Sequence, residues 1–89
     1  MKKHFNIRVT GKVQGVFFRA STKDEANKSD LVGFVRNEQD GSVYIEVEGD
    51  EEKLESFRKW CLQGPARAKV NSCEVFEGEL RHFQNFSIQ

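Results

Sequence analysis

The sequence predicts a two-layer α+β sandwich with the element order β-α-β-β-α-β, and three features carry that prediction. Four separate runs read as strands, and Phe5–Thr10, Val43–Glu48 and, with a slip, Lys69–Phe76 alternate apolar with polar residues as strands with one buried face do. Two of those runs are joined through Asp40-Gly41, a hairpin signal. Two further segments repeat their apolar residues at helical spacing instead.

The first strand covers about Phe5–Gly11, with Phe5, Ile7 and Val9 on one face and Asn6, Arg8 and Thr10 on the other. The chain turns at Gly11 and Gly15 and enters a helix that runs to about Ser29, with Phe18, Thr22 and Ala26 as a thin apolar stripe. Thr22 with Glu25 also fits a capping box, which would start this helix late. A start near Phe18 is favoured, with Thr22 inside the first two turns. Leu31–Asn37 and Val43–Glu48 form the hairpin, and in the second strand Val43, Ile45 and Val47 alternate with Tyr44, Glu46 and Glu48. Gly49 ends that strand and Asp50 caps the second helix, whose first turn carries Glu51 and Glu52 to complement the helix dipole. Leu54, Phe57 and Cys61 form its buried stripe, Trp60 lies at the edge, and Gly64-Pro65 terminates it.

The strand Lys69–Phe76 loses its alternation near Asn71-Ser72, which predicts a bulge. Phe83, Phe86 and Ile88 predict a short closing strand. Two helices on one face of an antiparallel sheet give the split βαβ, ferredoxin-like arrangement.

Composition narrows the function. A length of 89 residues suits a single domain, residues 1–89, and 37% hydrophobic with 31% charged residues suits a soluble globular chain. Lys and Arg number 14, as do Asp and Glu, so no net charge draws the chain to nucleic acid. Gly33-Phe34-Val35 superficially resembles an aromatic RNA-binding strand, but Val32 stands where a basic residue belongs and the second aromatic is missing. No run reaches the roughly 18 apolar residues of a membrane span, and no signal peptide follows Met1-Lys2-Lys3, so a cytoplasmic monomer without a membrane partner is expected. Cys61 and Cys73 lack a CxxC partner and read as reduced, partly buried thiols. His4 and His82 read as surface or edge residues, and Arg8 as the partner of an acid. No His/Cys/Asp cluster has metal-ligand spacing, so neither metal nor other cofactor is expected.

The run Gly11-Lys12-Val13-Gln14-Gly15-Val16-Phe17-Phe18-Arg19 holds the chemistry. A strand stops, turns on glycines and launches a helix whose first amides point outward with partial positive charge, a setting that suits an anion. Arg19 adds a planar fork that can grip two oxygens of a phosphate or carboxylate. No Gly-Lys-Ser/Thr closes the run, so it is not a Walker-type loop. Spacing by itself favours the plainer reading, a glycine-rich turn with a solvated arginine. Asn37, ending the second strand, reads by itself as a turn-forming asparagine, and pattern does not decide whether it reaches the loop.

Two motifs go further. Gly11–Arg19 matches Gly-x-Val-Gln-Gly-Val-x-Phe-Arg, and Gly33–Gly49 matches Gly-Phe-Val-Arg-Asn-x-x-x-Gly-x-Val with a later glycine. On these, and on Gly64-Pro65-x-x-Ala68-x-Val70 and the Phe-x-Ile ending, the chain resembles the acylphosphatases over nearly its whole length. It departs at Ser29-Asp30-Leu31, where the family usually reads Leu-Gly-Leu, and at Gln89, where some members end in an aromatic residue.

The resemblance implies hydrolysis of a carboxyl-phosphate anhydride to carboxylate and inorganic phosphate, without a metal. It implies that the phosphate-binding loop is Gln14, Gly15, Val16, Phe17, Phe18 and Arg19. In this reading Arg19 and the backbone amides hold the phosphate, Gln14 keeps the loop's shape, and Asn37 orients the attacking water. Phe17 either lines the mouth of the site or packs inward. The implied partners are a small acyl phosphate and inorganic phosphate, the latter as product and competitive inhibitor. A pure anion-binding module on the same fold is the rival reading.

Overall fold

The computed structural model describes residues 1–89 and runs β1 (Lys2–Lys12), α1 (Phe18–Lys28), β2 (Val32–Asn37), β3 (Val43–Asp50), α2 (Glu51–Cys61), β4 (Lys69–Gly78) and β5 (Phe86–Ile88). One sheet has the order β4-β1-β3-β2-β5. Both β1 and β2 pair antiparallel with β3, so they run in the same direction on either side of it. Their C-terminal ends therefore open at the same end of the sheet, as the split βαβ topology requires.

Both helical stripes pack as the sequence predicts. Phe18, Thr22 and Ala26 are buried from α1, and Leu54, Phe57 and Cys61 from α2. They meet the face of the sheet that carries Phe5, Ile7, Val9, Val35, Val43, Ile45 and Val47. The rings of Phe18 and Trp60, 5.6 Å apart, join the two helices. The early helix start holds, since Thr22 does not cap; its hydroxyl donates back to the Phe18 carbonyl at 2.7 Å. The expected bulge is present too. Register slips between Thr10 and Gly11 of β1, which face Ser72 and Val70, and Asn71 is left over. Gly11 has φ +122 there, and a Cβ would collide with the Lys69 carbonyl oxygen.

Four expectations are corrected. The sheet is mixed rather than antiparallel, because β5 adds parallel to the free edge of β2. Strand β3 continues through Gly49 to Asp50, and β1 extends to Lys2 to pair with it. Asp50 makes no side-chain cap bond; the Met1 carbonyl receives the Glu51 N–H at 3.0 Å instead, and Asp50 pairs with the terminal amine. His4 is not a surface residue but is 2% exposed.

That last correction has a topological cause. Chain 79–85 passes over the non-helical face of the sheet on its way from β4 to β5, covering His4, Glu46 and Glu48, all buried. Glu48 accepts the backbone N–H groups of Arg81 and of Phe83, the latter at 3.1 Å, and lies 2.8 Å from His4 Nδ1. Burial alone would raise the Glu48 pKa, but these bonds outweigh it and hold the carboxyl below its ordinary value. The Phe83 ring stacks on His4 and sits edge-on to Phe34. Arg8 does pair with an acid, Asp40, at 3.2 Å.

The Ser29-Asp30 corner closes α1 with a Schellman turn. Leu31 N–H reaches the Ala26 carbonyl at 2.9 Å and Asp30 N–H the Asn27 carbonyl at 3.3 Å. Asp30 takes the left-handed position, φ 55.

Asp30→Gly is therefore expected to stabilise the protein by about 0.5 kcal/mol in urea unfolding. Its exposed ion pair with Lys53, at 3.6 Å, is worth too little to offset this. Glu48→Gln is expected to destabilise by about 1.5–3 kcal/mol at neutral pH. A lowered folded-state pKa gives stability that is complete above the unfolded carboxyl's value, about pH 4.3, and lost as pH falls through the folded value. The gap between variant and wild type should accordingly narrow in acid. A gap that stays constant with pH would assign the loss to packing.

Candidate active site

Strand β1 ends at Lys12, α1 begins at Phe18, and the turn between them is built from two left-handed residues. Gly15 has φ 73, and nothing lies within 4 Å of where its Cβ would be, so conformation rather than crowding calls for glycine. Phe17 has φ 64 and ψ 24 immediately before the helix. A left-handed residue followed by a right-handed one turns the amides of Phe17, Phe18 and Arg19 toward a common concavity, which favours an anion. The first bond of α1 runs from Ser21 N–H to the Phe17 carbonyl at 3.0 Å, which leaves the Phe18, Arg19 and Ala20 amides without intrahelical partners.

Charge sharpens the anion preference. The first turn of α1 contains no acidic residue, whereas that of α2 contains Glu51 and Glu52. Arg19 stands there instead, a cation at the positive end of a helix, an arrangement costing roughly 0.3–1 kcal/mol. It takes part in none of the chain's ion pairs. Its guanidinium is thus uncommitted to any carboxylate of the protein.

A cavity of about 350 Å³ is lined by Val13, Gly15, Phe17, Phe18, Arg19, Ala20, Asn37 and Ile88. The parallel course of β1 and β2 brings Asn37 to the loop, a meeting that the pattern left open. Asn37 is the last residue of β2 and makes no local turn bond; its carboxamide oxygen is buried and has no hydrogen-bond partner. A buried acceptor left unsatisfied costs about 1–3 kcal/mol, which a hydrogen-bond donor would recover.

The remaining loop residues divide by role. Gln14 does not line the cavity; its Nε2 donates to the carbonyls of Glu38 at 2.8 Å and Ser42 at 2.9 Å. It ties the loop to the β2–β3 hairpin one residue beyond Asn37. Asp40 braces that hairpin by accepting from the Ser42 N–H and hydroxyl, bonds that hold its carboxyl below the usual carboxylate range. The Val16 side chain is buried in the core, so only its backbone is available to the site. Phe17 takes the outward alternative, 71% exposed. Ile88 went unrecognised as a wall of the site; the Phe86-x-Ile88 alternation, once added to the edge of β2, sets it opposite Val35, two residues before Asn37. Both cysteines lie outside this cavity, and burial pushes both thiols up, so they are poor nucleophiles at neutral pH.

A family model described as Acylphosphatase matches residues 5–88. An acylphosphatase of Salinibacter ruber is 45% identical over 89 residues, covering 99% of this chain and 94% of its own. Among solved structures, the acylphosphatase from Bacillus subtilis superposes with a TM-score of 0.95 at 40% identity, covering 100% of this chain and 99% of that one. Full-length HypF in its phosphate- and nucleotide-bound form matches all of this chain with TM-score 0.90 at 30% identity, over 12% of its own length.

Gln14→Ala removes both bonds of the clamp. It is expected to weaken inorganic phosphate binding about tenfold, roughly the worth of one or two neutral hydrogen bonds, in a calorimetric titration. Unchanged affinity would show that the loop keeps its shape without the hairpin.

Proposed function

The chain belongs to the acylphosphatase family, and we propose how its cavity carries out that family's hydrolysis of the carboxyl-phosphate bond in small acyl phosphates. The phosphoryl group sits in the concavity after Gly15, its oxygens bonded by the amides of Phe17, Phe18 and Arg19 and by the Arg19 guanidinium. Asn37 holds the attacking water through its carboxamide. The observation that carries this reading is the convergence on one cavity of an arginine free of ion pairs, helix-start amides without intrahelical partners and Asn37.

The chemistry asks little more. Water oxygen forms a bond to phosphorus as the bridging P–O bond breaks, and the electron pair leaves with a carboxylate, a weak base that needs no general acid. The transition state is loose, with charge spread over the equatorial oxygens, which a set of N–H donors and one guanidinium can match. Asn37 is a neutral amide and does not take the water's proton; that proton passes to a phosphoryl oxygen. Positioning supplies most of the rate. Inorganic phosphate fits the same concavity and would act as a competitive inhibitor.

The setting follows from the same features. Two free cysteines fit a reducing compartment such as the cytoplasm. The free edge strand β4 carries Lys69, Glu74 and Glu77, charges that discourage strand pairing and favour a monomer. No helix is long and apolar enough to cross a membrane.

Arg19→Gln should lose at least about a hundredfold in kcat/KM for benzoyl phosphate, the loss of a charge-assisted contact worth several kcal/mol. More than a tenth of wild-type activity would remove Arg19 from the mechanism. Asn37→Ala should lower kcat by about a hundredfold while phosphate still inhibits with near wild-type affinity. Parallel loss of both would make Asn37 a binding group rather than a water-positioning one.

A further inference from the structure

We propose that Phe17 and Ile88 form the subsite for the acyl group, and that they select apolar, above all aryl, acyl phosphates over small ones such as acetyl phosphate. This rests on the hydrolase reading above. Phe17 is 71% exposed and Ile88 43% exposed, yet both line the cavity that holds Arg19 and Asn37. The other residues of the wall are largely apolar as well: Val13, Phe18 and Ala20. Arg19 is the cavity's only charged group, so a polar acyl tail would find no carboxylate or ammonium partner there.

Backbone strain singles out Phe17. Three non-glycine residues have positive φ, namely Phe17, Asp30 and His82. Aspartate tolerates the left-handed region, but for phenylalanine it costs on the order of 1–2 kcal/mol. Glycine or asparagine would satisfy the turn more cheaply, and the ring, mostly in water, gives little to the core. The fold therefore gains little from an aromatic side chain here. A strained and exposed aromatic at a site is explained by what it meets when the site is filled.

Geometry indicates what that is. The amide of Phe17 belongs to the anion concavity, and its ring is joined to that amide through two carbons. The acyl carbon of a bound substrate is joined to the phosphorus through one bridging oxygen. An acyl group emerging from the concavity thus runs beside the Phe17 ring, with Ile88 on the wall contributed by β5. A planar aryl group can stack on that ring, whereas a methyl group covers a small part of it.

The test is the ratio of kcat/KM for benzoyl phosphate to that for acetyl phosphate, measured in wild type, Phe17→Asn, Phe17→Trp and Ile88→Ala. Asparagine accepts the left-handed backbone without the ring, and any general damage to the phosphate cradle cancels in the ratio. The ratio is expected to fall about tenfold in Phe17→Asn, less in Ile88→Ala, and to persist in Phe17→Trp. A ratio unchanged in Phe17→Asn would overturn the subsite even if both rates fell, since the ring would then serve the loop alone. Hydrolysis of neither substrate by the wild type would instead remove the reading on which the proposal stands.

Discussion

One side chain holds the two halves of the site in register. Gln14 bonds the carbonyls of Glu38 and Ser42, and so fixes the loop after β1 to the turn after β2. Val16 and Phe18 anchor the loop in the core and Asn37 ends a paired strand; the Gln14 bonds add the direct link between the two. The sheet brings them to the same end; the clamp sets their distance. Its acceptors are backbone carbonyls of a closed hairpin, and Ser42 already receives the Glu38 N–H at 2.9 Å. The clamp therefore rests on a preformed element rather than on another flexible side chain.

Unfavourable features gather on the cavity side of that clamp. A left-handed phenylalanine, an arginine at a helix's positive end and an asparagine whose buried oxygen has no partner are all residues of the cavity wall. Each is a cost in folding stability, the kind of cost that a bound substrate's charge and apolar surface would offset. On the opposite face of the sheet the pattern is reversed. His4, Asn6, Glu46, Glu48, Arg81 and Phe83 satisfy one another, and they hold the crossing chain that delivers β5 to the edge of β2. One wall of the cavity thus depends on a carboxylate on the far side of the sheet.

Much of this was legible in the sequence, for reasons that differ by residue. Alternation assigns Ile7 and Ile45 to one face of their strands, so the core side of β1 and β3 followed directly. The lost alternation at Asn71 marked the bulge, and helical spacing marked Leu54, Phe57 and Cys61. Alternation names a face without saying whether that face is covered, so the burial of Glu46 and Glu48, and of His4, which read as a surface or edge residue, was not visible in the sequence. Three residues carry no strand direction, so the parallel pairing of β5, and with it the place of Ile88, was hidden. Arg19 and Asn37 were found through motif resemblance; spacing alone left both open. The partners of Gln14 are backbone carbonyls 24 and 28 residues away, and every residue has a carbonyl. Nothing in the identity of Phe17 announces a left-handed backbone.

The most direct measurement is turnover of benzoyl phosphate in ¹⁸O-enriched water, with both products analysed by mass spectrometry. If the concavity holds the phosphoryl group and Asn37 delivers water to phosphorus, the label enters inorganic phosphate and the benzoate stays unlabelled. Label in benzoate would mean that water attacks the acyl carbon, and that the Gly15–Arg19 loop serves to bind the substrate without presenting its phosphorus to water.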